Sequence, residues 1–295
     1  MANYDLHLHT HWSYDANAPV EFYFDLAEKN GTRAIAITDH HTMDGIQDVL
    51  AASKRHPSVR FIPGAELTCN TSIGAVDMVC LGLPVEPTPA LETMFEEYRQ
   101  WQRDFGDAVS RAMADAGFQY GREERLEILR RYRPEHIIQK QGITHVNWII
   151  QLADFVRRGW TEAGKEWDFW KEVEKDHEFP TYPEASRVIP EVKRHGGLVF
   201  IAHPRHYFLR DDRKRMDQLR EELDFDGIEC AHSAFGPELT KIYREYCVEN
   251  KLLSSAGSDV HSSPEFYHFN IDPECTFGQT CGEDLWLDEI LERLA

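Results

Sequence analysis

Short apolar runs and amphipathic stretches alternate along the first third of the chain. "NYDLHLH" alternates as a strand does, and "RAIAITDH", "VRFIPGAEL" and "AVDMVCLGL" are apolar runs of strand length. Between them, "PVEFYFDLAEKNG" opens on Pro19 and closes on Gly31, the punctuation of a helix, and "MDGIQDVLAASKRH" also has helical spacing. Strands alternating with helices predict a parallel sheet. From residue 85 to residue 183 the pattern changes to amphipathic helices rich in charge and aromatics, with no convincing buried strand. The earlier rhythm then returns: "ASRVIPEVKRHGG" predicts a helix, "LVFIAHP", "FDGIECAHS" and "LLSSAGSDVH" predict strands, and "GEDLWLDEILERLA" a closing helix. About seven strands are expected. They belong to one unit made of residues 1–84 and 184–295, interrupted by a helical insertion at 85–183.

Composition narrows the setting. A chain of 295 residues that is 42% hydrophobic and 28% charged can bury a large core, and no apolar run approaches the roughly 20 residues of a membrane span. The first residues, "MANYDLHLHTH", lack the basic and apolar regions of a secretory leader, so a cytoplasmic location without a membrane partner is expected. A formal charge of -19 repels extended duplex nucleic acid, whereas a bound cation would invert the field locally and admit a small phosphorylated ligand. The six cysteines (Cys69, Cys80, Cys230, Cys247, Cys275, Cys281) form no CxxC and are expected to be buried or idle thiols. Charged runs such as "REERLEILRRYRPE" and "RDDRKRMDQLREELD" have the helical spacing of solvated faces.

The histidines carry the chemical signal. His7 and His9 are two apart on a predicted strand, so both imidazoles project from one face. His40, Glu66, His203, Glu229, Asp259 and His261 also fall at the carboxyl ends of predicted strands, where α/β barrels build their active sites. Imidazole with carboxylate suits Zn, Mn or Fe better than Ca or Mg. His11, His41, His56 and His195 fall outside this pattern, and no serine or cysteine shows a nucleophile-elbow motif.

"DLHLHTHWSYD", "AIAITDHHTMDG", "IPGAEL", "GGLVFIAHPRH" and "GSDVH", in this order, resemble the motifs of the PHP (polymerase and histidinol phosphatase) domain. The resemblance implies a distorted (β/α)7 barrel with a helical insertion, two or three divalent metal ions (Zn, Mn or Fe), and hydrolysis of phosphate esters by a metal-activated water. Carried over by motif, His7, His9, Glu66 and Asp259 would hold one ion. Asp15, His40 and His261 would hold a second, and Glu66 would bridge to a third shared with His203.

Three departures from the family pattern stand out. Tyr14 separates Ser13 from Asp15, where the family reads HTxxSDG. Val79 stands where similar proteins place a histidine; Asp77, two residues earlier on the same strand face, could substitute for it or could simply cap the strand. "ITHVNWI" carries His145 and Asn147 where related proteins carry Arg and His.

Arg205 could fork onto a substrate phosphate or be an ordinary surface arginine. His206 and His232 could donate a proton to the leaving group or play a supporting hydrogen-bonded role. Trp101, Trp148, Trp160, Trp167 and Trp170 could line a substrate lid or form the core of the insertion. The expected activity is hydrolysis of a small nucleotide or sugar phosphate. Amide or lactone hydrolysis, and a non-catalytic metal or ligand-binding module, are the alternatives. The oligomeric state is left open.

Overall fold

A computed structural model describes residues 3–209, 211–262, 275–280 and 282–295, so Cys281 lies outside the described residues. The seven predicted strands form one sheet in sequence order: β1 (Tyr4–Leu8), β2 (Ala34–Ile37), β3 (Arg60–Thr71), β4 (Gly74–Leu81), β5 (Leu198–Ile201), β6 (Gly227–His232) and β7 (Leu253–Gly257). A bridge between Leu8 and Val260 brings the two ends of the sheet together. Hydrogen bonds from His9 N to Val260 O (3.0 Å) and from Asp259 N to His7 O (2.8 Å) reinforce the seam. The result is a distorted (β/α)7 barrel.

One expectation is corrected. The sheet is not wholly parallel: β4 runs antiparallel to both β3 and β5. No helix separates β3 from β4. Thr71 pairs with Gly74 across a two-residue turn, a connection too short for a parallel crossover. The reversal has a functional consequence. Because β4 points the other way, its amino-terminal half, with Asp77, lies level with the carboxyl ends of the parallel strands.

The helices follow their predicted punctuation. α1 (Val20–Asn30) starts after Pro19 and stops at Gly31, whose φ of 70° suits a residue without a Cβ. Tyr23 on α1 reaches the seam, its hydroxyl 2.7 Å from His9 O and 2.8 Å from Val260 O. α2 (Ile46–Arg55) precedes β3. Five helices lie between β4 and β5 before the last one that leads back into the sheet: α3 (Pro89–Asp115), α4 (Arg122–Leu129), α5 (Glu135–Gln141), α6 (Trp148–Arg157) and α7 (Glu166–Glu174). α8 (Ala185–Arg194), α9 (Arg213–Glu222), α10 (Pro237–Asn250) and α11 (Asp284–Arg293) cover the second half of the barrel.

The main apolar cluster joins β3 to β7 with α8, α10 and α11, and the helices of the middle segment enclose a separate cluster. Trp148, Trp160 and Trp170 pack within or against that separate cluster, whereas Trp167 is exposed. The run "REERLEILRRYRPE" is not simply a solvated face. Arg125 is fully buried against Asp107 and Thr144 O, and Arg133 is buried beneath the Trp12 carbonyl. Cys69, Cys80, Cys230 and Cys247 are buried free thiols, and Cys275 is a half-buried one. Among the described residues no helix is long and apolar enough to cross a membrane.

Candidate metal centre

Glu66 is the hub. It lies in the middle of β3, but the parallel bridge between His40 and Glu66 shows that β3 continues past the end of β2, so Glu66 reaches the barrel mouth. Its Oε2 lies 3.0 Å from His7 Nε2, 3.1 Å from His9 Nε2 and 3.3 Å from His40 Nδ1. Its Oε1 lies 3.1 Å from His203 Nε2. Asp259, just beyond β7, adds a second carboxylate, with Oδ1 3.1 Å from His9 Nε2 and 3.3 Å from His7 Nε2. Asp15 Oδ2 lies 3.4 Å from His40 Nε2 and 3.5 Å from His261 Nε2. The structure therefore brings His7, His9, Asp15, His40, Glu66, His203, Asp259 and His261 to one mouth. Donor atoms at the mouth fall into four overlapping groups: His9, Asp15, His40 and His261; His7, His9, Glu66 and Asp259; Glu66, Asp77 and His203; and His7, Glu229 and His232.

Two hydrogen bonds fix which nitrogen faces the centre. His7 Nδ1 donates to Glu229 Oε1 (3.0 Å), and His261 Nδ1 donates to the Asp259 carbonyl (2.8 Å). Each bond places the ring proton on Nδ1 and turns the Nε2 lone pair toward carboxylates, the arrangement of a metal-ligating histidine with its supporting acceptor. Lone pairs facing lone pairs require a proton or a cation between them. His9 Nε2, His40 Nδ1 and Asp259 Oδ1 are buried with no hydrogen-bond partner in spite of these short separations, so the residues fit divalent ions.

In the ion-free protein, protons fill that role. Burial opposes a charge on His203, but Glu66 outweighs it and raises His203 to about 9. His7 is raised for the same reason, with burial opposed by Glu66 and Glu229. Burial raises the carboxyl pKa values of Glu66, Asp259 and Asp15, but the neighbouring imidazoles more than offset it and hold all three below the usual carboxylate range.

Buried polar groups hold the ligands in place. Ser13 donates to Asp15 Oδ1 (2.7 Å) and accepts the His40 amide (3.1 Å). Tyr14, the extra residue, swings out and lays its ring 4.0 Å from that of His145. Asp39, pushed up to about 7 by burial, accepts the Thr10 amide (2.6 Å). Asp5, pushed up to about 6 by burial, accepts the Ser258 amide (2.9 Å) beneath the turn carrying Asp259. His203 and Asp259 have φ values of 27° and 58°, left-handed backbone that only firm surroundings maintain in non-glycine residues.

The remaining candidates divide. Val79 is core, whereas Asp77 lies near His203, with Oδ2 3.7 Å from Nε2. His232 accepts the Ala234 amide on Nδ1 (2.9 Å), so a neutral ring carries its proton on Nε2, toward Asp259 Oδ2 at 3.6 Å. His232 also falls with His7 and Glu229 in the fourth donor group. His206 is exposed, with its ring 4.9 Å from that of His203. Arg205, in the 3-10 turn Pro204–His206, donates to Ala234 O (2.6 Å) and lines an open cleft of about 440 Å³ with Phe235 and Leu239. Asn147 caps α6, accepting from Ile149 N, and takes no part in the donor groups.

Three contributors escaped the sequence reading. Thr68 donates to Asp77 Oδ1 (2.5 Å), Tyr207 donates to Asp77 Oδ2 (2.6 Å), and His41 Nε2 meets Thr68 Oγ1 (2.9 Å). Only Thr68 had a legible signal, two residues after Glu66 on the same strand face.

The family model for the PHP domain matches residues 5–180. The chain belongs to the PHP domain family. Among curated proteins it is 25% identical to a 3',5'-nucleoside bisphosphate phosphatase of Chromobacterium violaceum, covering 90% of this chain and 89% of that protein. It is 23% identical to a 5'-3' exoribonuclease of Haemophilus influenzae, covering 88% and 89%. Two solved structures share the fold with a TM-score of 0.71. One is an amidohydrolase from Chromobacterium violaceum with bound sulfate and no metal, 19% identical, covering 99% of this chain and 97% of the other. The second is a candidate metal-dependent phosphoesterase from Bifidobacterium adolescentis, 23% identical, covering 98% and 96%.

Proposed function

We propose that this PHP-domain protein is a metal-dependent hydrolase of phosphoric esters acting on a small phosphorylated metabolite, with a nucleotide favoured over a sugar phosphate. The observation that carries the reading is Glu66 surrounded by four imidazoles whose nitrogens lie within 3.3 Å of its two oxygens. A relative matched over 89% of its length is named a 3',5'-nucleoside bisphosphate phosphatase, which favours a nucleotide over a sugar phosphate; another, named a 5'-3' exoribonuclease, shares the nucleotide phosphoester chemistry but on RNA. Two or three divalent ions, Zn, Mn or Fe, would be held by His7, His9, Asp15, His40, Glu66, His203, Asp259 and His261. Bound there, such ions supply charge neutralisation at the phosphoryl oxygens and a lowered pKa for water.

The chain's own residues do the rest. Glu229 and the Asp259 carbonyl keep the ring protons of His7 and His261 away from the centre. His232, whose Nδ1 accepts the Ala234 amide, is placed to hydrogen-bond through Nε2 rather than to give up a proton, and Arg205 borders a cleft that could receive a substrate anion. The segment 85–183 packs the buried Trp101 and His145 behind Tyr14 and Tyr182, and these two half-buried rings near His40 are placed to stack on a planar base.

The test is a substrate panel of phosphate monoesters, diesters, cyclic amides and lactones, run on protein loaded with Mn, Zn or Fe. Turnover of a nucleotide ester is expected, falling by at least about 100-fold in His9→Ala and Asp259→Ala. Turnover confined to amides or lactones would overturn the reading. So would metal binding with no turnover of any ester, or activity that survives both substitutions.

A further inference from the structure

Three of the donor groups at the mouth are chemically unequal in a way that bears on which ion each would take. His9, Asp15, His40 and His261 offer three nitrogens and one oxygen, whereas His7, His9, Glu66 and Asp259 offer two of each. Glu66, Asp77 and His203 offer one nitrogen and two oxygens. Ligand type is a main way a site chooses among divalent ions: nitrogen favours Zn and its neighbours, and carboxylate favours Mn and Mg.

We propose that the Glu66/Asp77/His203 position is an oxygen-rich cation site that discriminates least against hard ions, so that Mn2+ or Mg2+ loads there while Zn2+ or Fe2+ takes the nitrogen-rich positions. The inference rests on the reading of the mouth as a metal centre.

Asp77 is built into place as a ligand would be. Glu66 and Asp77 lie on adjacent antiparallel strands and share a face, since Glu66 pairs with Val79 and Thr68 with Asp77. Each Asp77 oxygen accepts one hydroxyl, Thr68 at Oδ1 and Tyr207 at Oδ2, and each keeps a further lone pair. The Asp77 amide donates to Tyr207 Oη (3.0 Å), so Tyr207 clamps the residue at two points. Thr68 gives its proton to Asp77, so its oxygen accepts from His41 Nε2. The other ring nitrogen of His41, Nδ1, then accepts from Gln102 Nε2 (3.4 Å) on α3. This chain of donors ends on Asp77 and holds its carboxylate beside His203. A strand-capping aspartate has no need of such support. Asp77 also brings to this position a carboxylate that no other group uses, beside the shared Glu66, whereas the nitrogen-rich group has Asp15 alone.

The experiment strips the full-length protein with chelator and supplies Zn2+ at limiting equivalents. It then titrates Mn2+, reading the ion by electron paramagnetic resonance and total metal by elemental analysis. Wild type is expected to take up Mn2+ at a position that Zn2+ does not fill first. Asp77→Asn should weaken that Mn2+ by at least about tenfold while the protein keeps its zinc, and Asp77→His should raise the Zn-over-Mn affinity ratio by a similar factor. Tyr207→Phe, which spares the carboxylate, should keep the Mn2+ stoichiometry with weaker affinity and serves where Asp77→Asn fails to fold by circular dichroism. Mn2+ bound equally well by Asp77→Asn, or an ion preference unchanged in Asp77→His, overturns the inference. Wild type that binds zinc but no Asp77-dependent Mn2+ also overturns it. A wild type that binds no ion at all overturns the metal-centre reading itself.

Discussion

At the scale of single residues, the centre depends on side chains that never face the substrate. Glu229 holds His7 Nδ1 through Oε1 and accepts the His203 amide through Oε2 (2.7 Å), so one buried carboxylate orients two ligand-bearing elements. Glu229→Ala is expected to lower metal affinity about 10- to 100-fold with secondary structure retained, measured by metal titration alongside circular dichroism. An affinity equal to wild type would remove Glu229 from this role. The motifs marked the residues that meet at the mouth because imidazole and carboxylate are rare at strand ends unless they have work there. They did not mark Tyr207 or His41, whose parts depend on packing that brings distant hydroxyls and rings together.

At the scale of elements, close approach between strands is decisive. A Cβ on Gly257, in β7, would lie 2.2 Å from His7 Cβ and 2.7 Å from Glu229 Oε1. Gly257→Ala is therefore expected to cost about 1–3 kcal/mol of stability and to reduce metal content, read by denaturant unfolding and elemental analysis. The α1/α2 pair makes a pH-dependent contribution. Arg55, with help from His56, depresses Glu21 to about 2, and Glu21 raises His56 above its ordinary 6.5. The Glu21 part is present above about pH 4.5 and fades as pH falls toward 2; the His56 part is present below pH 6.5 and fades as pH rises through its elevated value. His56→Gln should flatten the urea midpoint between pH 6 and 8, and an unchanged slope would count against the pairing. The antiparallel β4 was missed because an apolar run such as "AVDMVCLGL" carries no sign of its direction.

At the scale of the molecule, the donor residues from β1, β2, β3, β5 and β7 and their flanking loops meet only when the barrel closes, so any ion held there links binding to folding. Chelation is expected to lower the melting temperature. Restoring a divalent ion at a hundredfold over its Kd should return about 2.7 kcal/mol per site, seen by calorimetry. An unshifted transition would mean that the mouth holds no ion. The sequence by itself determined the alternation of strands and helices, the limits of most elements and the candidate donor residues, because periodicity, helix punctuation and the chemistry of histidine are local properties. Only the tertiary structure decided that Asp77 lies beside His203, that His232 Nδ1 accepts the Ala234 amide, and that Trp101 and Trp170 are buried while Trp167 is exposed. Strand direction, ring tautomer and burial are set by neighbours that are remote in the chain, and no local pattern records them.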